Sequence, residues 1–316
     1  MDHSINGVVP VNRREFLKSL FFLPFSAAIP LHAEHTGIFR FAQVSDIHLS
    51  FSKFDRSRRL YSHSTQLLAD ALNQIQAAGV HKVIFSGDLI NSPKLSDLIR
   101  FQQIVERYPL TSYFVPGNHD LSVGNGLQRV DFFAQTGEKG IAGNRIPYLR
   151  RVAPNIVFIF LDGVDTSRIT ANGRFEKEQI SWLSAQLKRF KNSGDDIFVF
   201  SHYPVYAPFK SRSHEIPPGE SQAILQILQK NPHCRAFISG HYHSCKIRKK
   251  DFCWHISSPS LVEYPNAFRI FEYSSRGLSV GFQQCRFPAL ISKSQNRCPW
   301  YKLNSGSPVD RVNFLT

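Results

Sequence analysis

Short apolar runs rich in Val, Ile and Phe recur at residues 39–44, 82–85, 112–115, 156–161, 197–200 and 236–238, each closed by polar residues. Runs this short, with branched and aromatic content, predict buried strands. Between several of them the apolar positions fall at helical spacing instead. Leu67, Leu68, Ala71, Leu72 and Ile75 share one face, as do Ile180, Leu183 and Leu187, and Ile224, Leu225 and Leu228. Strands alternating with helices predict a layered α/β domain. After Cys253 the pattern turns to strands alone, over 254–257, 268–273 and 278–282. Residues 284–316 are polar and basic with little periodicity, and are expected to form a loosely packed extension.

Composition narrows the class. With 42% hydrophobic and 20% charged residues, the 316-residue chain is neither low-complexity nor wholly disordered, and it is long enough to bury a sizeable core. Charge is less ordinary. Against 24 Asp and Glu stand 38 Lys and Arg, a balance of +14 that favours anionic partners such as phosphates, nucleic acid or acidic lipid. The five cysteines, Cys234, Cys245, Cys253, Cys285 and Cys298, contain no C-x-x-C pair, which argues against a cysteine-built zinc site. Their spacing fixes no disulfide pairing, and their odd number leaves at least one thiol free.

The N-terminus reads as an address. Asn12-Arg13-Arg14-Glu-Phe-Leu-Lys18 precedes a short apolar run from Ser19 to Ala28, broken by Pro24. Paired arginines before such a run resemble a twin-arginine export signal, with Asn12 where that pattern has Ser or Thr. The run is too short to span a bilayer as a stable helix, and Ser26, Ala28 or Ala33 offer cleavage points. The resemblance implies an exported, periplasmic protein that meets the twin-arginine translocon already folded, often with a cofactor loaded. The resulting division is a signal over 1–33, a catalytic domain over 34–283 and a basic extension over 284–316.

The residues just past the strands carry the chemistry. The first run leads into Asp46-Ile-His48, the second into Gly87-Asp88 and the third into Gly117-Asn118-His119-Asp120. The fifth ends in Ser201-His202 and the sixth in Gly240-His241-Tyr242-His243. Ligands of open α/β sheets gather at the carboxyl ends of strands. Asp, Asn and His are nitrogen and oxygen donors suited to Mn, Fe or Zn, with no thiolate among them. Two such ions about 3.5–4 Å apart can clamp phosphoryl oxygens and acidify a bridging water, which is what a phosphate ester needs in order to be attacked.

The ordered blocks D-x-H, G-D, G-N-H-D, H and G-H-x-H, over Asp46 to His243, resemble the calcineurin-like metallophosphoesterase family. Gly173 to Leu187 and Ser258-Pro-Ser-Leu-Val-Glu-Tyr-Pro265 also look familial, so the resemblance spans about residues 38–283. It implies two sheets packed face to face and flanked by helices, replacing the plain three-layer picture of the alternation. It further implies two divalent or trivalent metal ions. Asp46, His48, Asp88 and His243 would hold the first, and Asp88, Asn118, His202 and His241 the second, with Asp88 bridging. His119 would face the substrate as a phosphoryl-oxygen donor or general acid, and Asp120 would orient its imidazole.

The implied activity is hydrolysis of phosphodiesters by a metal-bridging hydroxide, in the manner of class III cyclic-nucleotide phosphodiesterases. Alternatives are a phosphomonoesterase, a phospholipid-cleaving hydrolase, or a non-catalytic binder that uses its basic surface on nucleic acid or membrane. His119 and Asp120 speak against a binder, which has no use for a general acid. A phosphate-ester substrate is therefore expected, with no obligate nucleic acid and no stable membrane span. His63, with Arg56, Arg58 and Arg59, lies in a loop that should border the site, and His214 in a loop on its rim. The run Lys246-Ile-Arg248-Lys-Lys250 is read as a hairpin with a solvated charged face.

Overall fold

The first of the predicted runs forms strand β1 (Phe39–Val44), and its last four residues are buried. The computed structural model describes residues 37–55, 58–137, 147–210 and 214–316. The twin-arginine segment and Arg56 lie outside the described residues. The apolar runs become β2 (Lys82–Ser86), β3 (Thr111–Val115), β5 (Ile156–Leu161), β6 (Asp196–Ser201) and β7 (Cys234–Ser239). After Cys253 come β9 (Cys253–Ser257), β10 (Ala267–Ser274) and β11 (Gly277–Val280). Strands β4 (Tyr148–Ala153), β12 (Gln283–Gln284) and β13 (Asn313–Leu315) carry no strong alternation and were not predicted.

The strands form two sheets. One runs β13-β11-β10-β1-β2-β3, with β12 pairing β10. The other runs β4-β5-β6-β7-β9-β8, where β8 is Lys246–Lys250. The basic run is thus an edge strand antiparallel to β9, and its lysines blunt that edge against further pairing. Within the first sheet β1, β2 and β3 are parallel, and within the second β5, β6, β7 and β9 are parallel.

The sheets meet through phenylalanine. Phe41 of β1 stacks on Phe271 and meets Phe158 and Phe198 of the opposite sheet at ring separations of 5.1 and 5.6 Å, while Tyr113 stacks on Phe160 at 5.5 Å. Aromatic pairs of this kind add about 0.5–1.5 kcal/mol each beyond the area they bury. Helices flank the sheets. In α1 (Ser64–Ala77) the predicted face of Leu67, Leu68, Ala71, Leu72 and Ile75 is buried. Helices α4 (Lys177–Phe190) and α5 (Pro218–Gln229) likewise bury Leu183, Leu187, Ile224 and Leu228. Helices α2 (Leu95–Val105) and α3 (Arg129–Thr136) were not read from the sequence.

The C-terminal residues correct an expectation. Instead of a loose extension they form α6 (Pro288–Arg297), α7 (Tyr301–Ser305) and α8 (Pro308–Arg311), then return to the first sheet as β13 beside β11. A wholly buried arginine holds them: Arg269 on β10 donates to the carbonyls of Ser257, Asp310 and Arg311 at 3.0, 2.8 and 3.2 Å. Lys246 Nζ and the Ile247 amide bind the Asp310 carboxylate, both at 3.0 Å. These ties are polar and distant in sequence, so no apolar period announces them.

Candidate metal centre

Both sets of parallel strands end on the same side, and their following loops interlock. Asp46 N–H donates to the Gly87 carbonyl at 3.1 Å and His48 N–H to the Asp88 carbonyl at 2.8 Å, joining the loops after β1 and β2. Across the sheets, Gly240 N–H donates to the His202 carbonyl at 3.0 Å and His241 N–H to Asp46 Oδ2 at 3.0 Å. Asp46, His48, Asp88, His241 and His243 all adopt positive φ, between 43° and 70°. A non-glycine residue there costs of order 1 kcal/mol or more, and five together mark a site held against local preference by its surroundings. Gly240 allows the approach: a Cβ there would lie 1.9 Å from Ser45 Oγ and 2.6 Å from Asp46 Oδ2.

The side chains converge. Single ligand atoms of Asp46, His48, Asp88 and His243, all buried, lie within 4.8 Å of one another. His48 Nε2 and His202 Nε2 each lie 3.5 Å from Asp88 Oδ2, one imidazole from each sheet. His243 Nε2 is 3.1 Å from Asp46 Oδ1 and 3.5 Å from His48 Nε2, and His241 Nδ1 is 3.2 Å from His202 Nε2. Asn118 is reached by the Tyr203 hydroxyl, which donates to its Oδ1 at 3.4 Å.

The electrostatics divide the four imidazoles into two pairs. Burial, and then Arg59, press the His48 imidazole well below its usual range. Burial, and then His202, do the same to His241. Burial opposes a proton on His202, yet Asp88 and Asp46 raise it to about 9. His243 is raised too, by Asp46 and Glu263 against burial. His48 and His241 thus stay neutral, the form that ligates, while the buried carboxylates favour a positive charge beside His202 and His243. Asp46 Oδ1 is buried against imidazole nitrogens, His243 Nε2 at 3.1 Å and His202 Nε2 at 3.9 Å, and paired imidazole nitrogens face each other across 3.2 to 3.5 Å. A thiolate-free nitrogen and oxygen set of this kind fits divalent metal ions.

His119 and Asp120 do not form the expected pair. The Nδ1 of His119 lies 3.0 Å from the Asn91 carbonyl, which can only accept, so Nδ1 carries the proton. Its backbone N–H donates to Asp88 Oδ1 at 2.9 Å. Asp120 instead accepts from the amides of Ile90 at 3.0 Å and Gly117 at 2.9 Å. The orienting role assigned to Asp120 is therefore corrected: its carboxylate fixes the loop backbone, and a carbonyl orients the imidazole. A short carboxylate beside tight turns is drawn to nearby amides before a neighbouring ring.

Sequence reading also missed Glu263, Asn91 and Tyr203. Glu263 lies in the quoted 258–265 segment, and its glutamate was the available signal. It is 1% exposed and takes His243 Nδ1 at 2.8 Å, Arg58 Nε at 2.6 Å and Asn304 Nδ2 at 3.2 Å. Burial works against its charge, but His243, Arg58 and Arg59 hold its carboxyl at about 2. Arg58, Arg59 and His214 border a cavity beside the site, as expected of their loops, while His63 is not among its lining residues. The His214 ring lies 5.1 Å from that of His241. All five cysteines are buried and unpaired, with Cys234 Sγ 4.0 Å from Cys253 Sγ.

Two facing sheets whose strand ends assemble such a site define a metallophosphoesterase. Residues 39–245 match the calcineurin-like phosphoesterase family, and the chain belongs to it. As a member it uses two metal ions, and the residues present fit them. Among similar proteins is a manganese-dependent ADP-ribose/CDP-alcohol diphosphatase from Danio rerio, 23% identical over 72% of this chain and 88% of that protein. A 3',5'-cyclic-nucleotide phosphodiesterase from Nostoc is 21% identical over 69% and 77%. In fold, the chain is similar to the crystal structure of a dimetal phosphatase from Danio rerio, with a TM-score of 0.63 at 18% identity over 78% of this chain and 96% of that one.

Proposed function

We propose that the chain is an exported phosphodiesterase. In this reading Asp46, His48, Asp88 and His243 hold one ion, and Asp88, Asn118, His202 and His241 the other. The observation that carries the two-ion arrangement is Asp88 Oδ2, 3.5 Å from His48 of one sheet and from His202 of the other, a place from which one carboxylate could serve both ligand sets. Bound there, the ions supply Lewis acidity and a water-derived nucleophile.

The chain's own groups do the rest. Asp120 pins the loop carrying Asn118 and His119, and Tyr203 fixes the Asn118 amide. With Nδ1–H committed to Asn91, Nε2 of His119 is left to face the substrate, and the imidazolium form carries there the proton that can go to the leaving oxygen or bind a phosphoryl oxygen. Two relatives named for a diphosphatase and a cyclic-nucleotide phosphodiesterase support a reacting phosphorus joined to two groups. The arginine pair at positions 13 and 14 supports export through the twin-arginine translocon to the periplasm. No described helix is long and apolar enough to cross a membrane.

The test is metal analysis of the purified protein together with a substrate panel. The expected result is two metal equivalents per chain and a higher kcat/KM for methyl p-nitrophenyl phosphate than for p-nitrophenyl phosphate. Preference for the monoester would replace this reading with a phosphomonoesterase, and preference for a short-chain phosphatidylcholine with a phospholipid-cleaving hydrolase.

A further inference from the structure

A cavity of about 350 Å³ opens directly beside the metal ligands His241 and His243. Its walls combine two chemistries. Arg58, Arg59 and Lys210 supply three cations, against which Glu263 is the one carboxylate among the described lining residues. That carboxylate is already taken up by His243, Arg58 and Asn304, so the cavity keeps a surplus of positive charge. Phe209, Tyr242 and Trp300 supply aromatic surface. Phe209 and Tyr242 meet edge to face at 5.0 Å, and Trp300 is 60% exposed.

The outer wall comes from the C-terminal segment, downstream of the family-matched residues 39–245. It is tied to the metal ligands. Asn304 donates through its Nδ2 to Glu263, the partner of His243, and its carbonyl accepts from the Cys245 amide at 2.9 Å. The Cys298 thiol lies 3.6 Å from the same Glu263 carboxylate. Trp300 therefore hangs between two anchors, Cys298 and Asn304, at a fixed place over the cavity.

We infer that this cavity receives the leaving side of the substrate, and that this side is a nucleotide: a flat base for Trp300 and Phe209, and a phosphate for Arg58 and Lys210. The inference rests on the phosphodiesterase reading and names its substrate class, a nucleoside diphosphate ester. Water adds across one bridging P–O bond: a new P–O bond forms, the bridging bond breaks, and the departing nucleotide phosphate leaves with the proton. Surplus cations favour the anionic leaving group, and an exposed indole offers a stacking face to any base.

The test uses metal-loaded full-length protein and two readouts. Calorimetric titration with ADP, set against inorganic pyrophosphate to subtract what the ions themselves bind, reads the cavity, and the ratio of kcat/KM for ADP-ribose to that for methyl p-nitrophenyl phosphate reads its part in turnover. Trp300→Ala should weaken ADP binding on the order of 10-fold and lower that ratio by a similar factor, mainly through KM on ADP-ribose. Trp300→Phe, which keeps a stacking face, should restore most of both. Lys210→Gln should weaken ADP more than adenosine. Equal losses on both substrates, or ADP binding indifferent to Trp300 and Lys210, would overturn the inference and leave the phosphodiesterase reading standing. Trp300-dependent ADP binding by a protein inert on every ester would do the reverse.

Discussion

Glu263→Gln is the substitution that isolates the charge beneath His243. The carboxylate is 1% exposed, and its carboxyl is held at about 2 against an ordinary 4.5. At 1.36 kcal/mol per pH unit, that shift is worth about 3 kcal/mol of folding stability in the metal-free protein. The sign is set by the direction of the shift. A carboxyl depressed in the folded state contributes fully above its unfolded value and loses that contribution as pH falls through the folded one. The contribution should be complete above about pH 5, near half at pH 3 and gone below about pH 2. Glutamine keeps the shape and an acceptor but not the charge. Urea unfolding of metal-stripped protein should thus show the variant less stable by about 3 kcal/mol at pH 7, with the gap halved at pH 3. Removing the partner that orients a ligating imidazole should also weaken metal binding by about 10–100-fold. A gap that stays constant from pH 7 to pH 3 would show that packing, not charge, is what Glu263 supplies.

Four further outcomes are expected. Asp88→Asn should lower metal content and activity together, because one carboxylate serves both ions; two metals per chain with full turnover would refute the shared role. His119→Ala should keep its metals and lose about 10²–10⁴-fold in rate, more on esters with poor alkoxide leaving groups than on nitrophenyl esters. Loss of metal in that variant would make His119 a ligand. Metal affinity of the stripped protein, read by chelator competition, should rise as pH approaches 9, because His202 must give up the proton that Asp88 and Asp46 stabilise; a flat profile would count against it as a ligand. Replacing Arg13 and Arg14 by lysine should retain the enzyme in the cytoplasm, active, because lysine lacks the paired guanidinium geometry; normal export on fractionation would rule the signal out.

The local pattern determined the strands β1 to β3 and β5 to β7 and the buried faces of α1, α4 and α5, because apolar period is a property of neighbours in the chain. It also determined the candidate chemistry, because Asp46, His48, Asp88, Asn118, His202, His241 and His243 each sit just past a strand end. Only the tertiary structure decided what those residues face. Asp120 follows His119 in sequence but turns to the Ile90 and Gly117 amides, while a carbonyl 28 residues away orients the ring. Glu263 reaches His243 across 20 residues, and Asn304 reaches Glu263 across 41. The C-terminal residues are held by hydrogen bonds to Arg269, Lys246 and Glu263, and polar ties leave no periodic trace. A sequence records which groups a chain can offer at each position. Which of them meet depends on long-range packing, where one buried arginine can anchor a segment that hydrophobicity alone would leave loose.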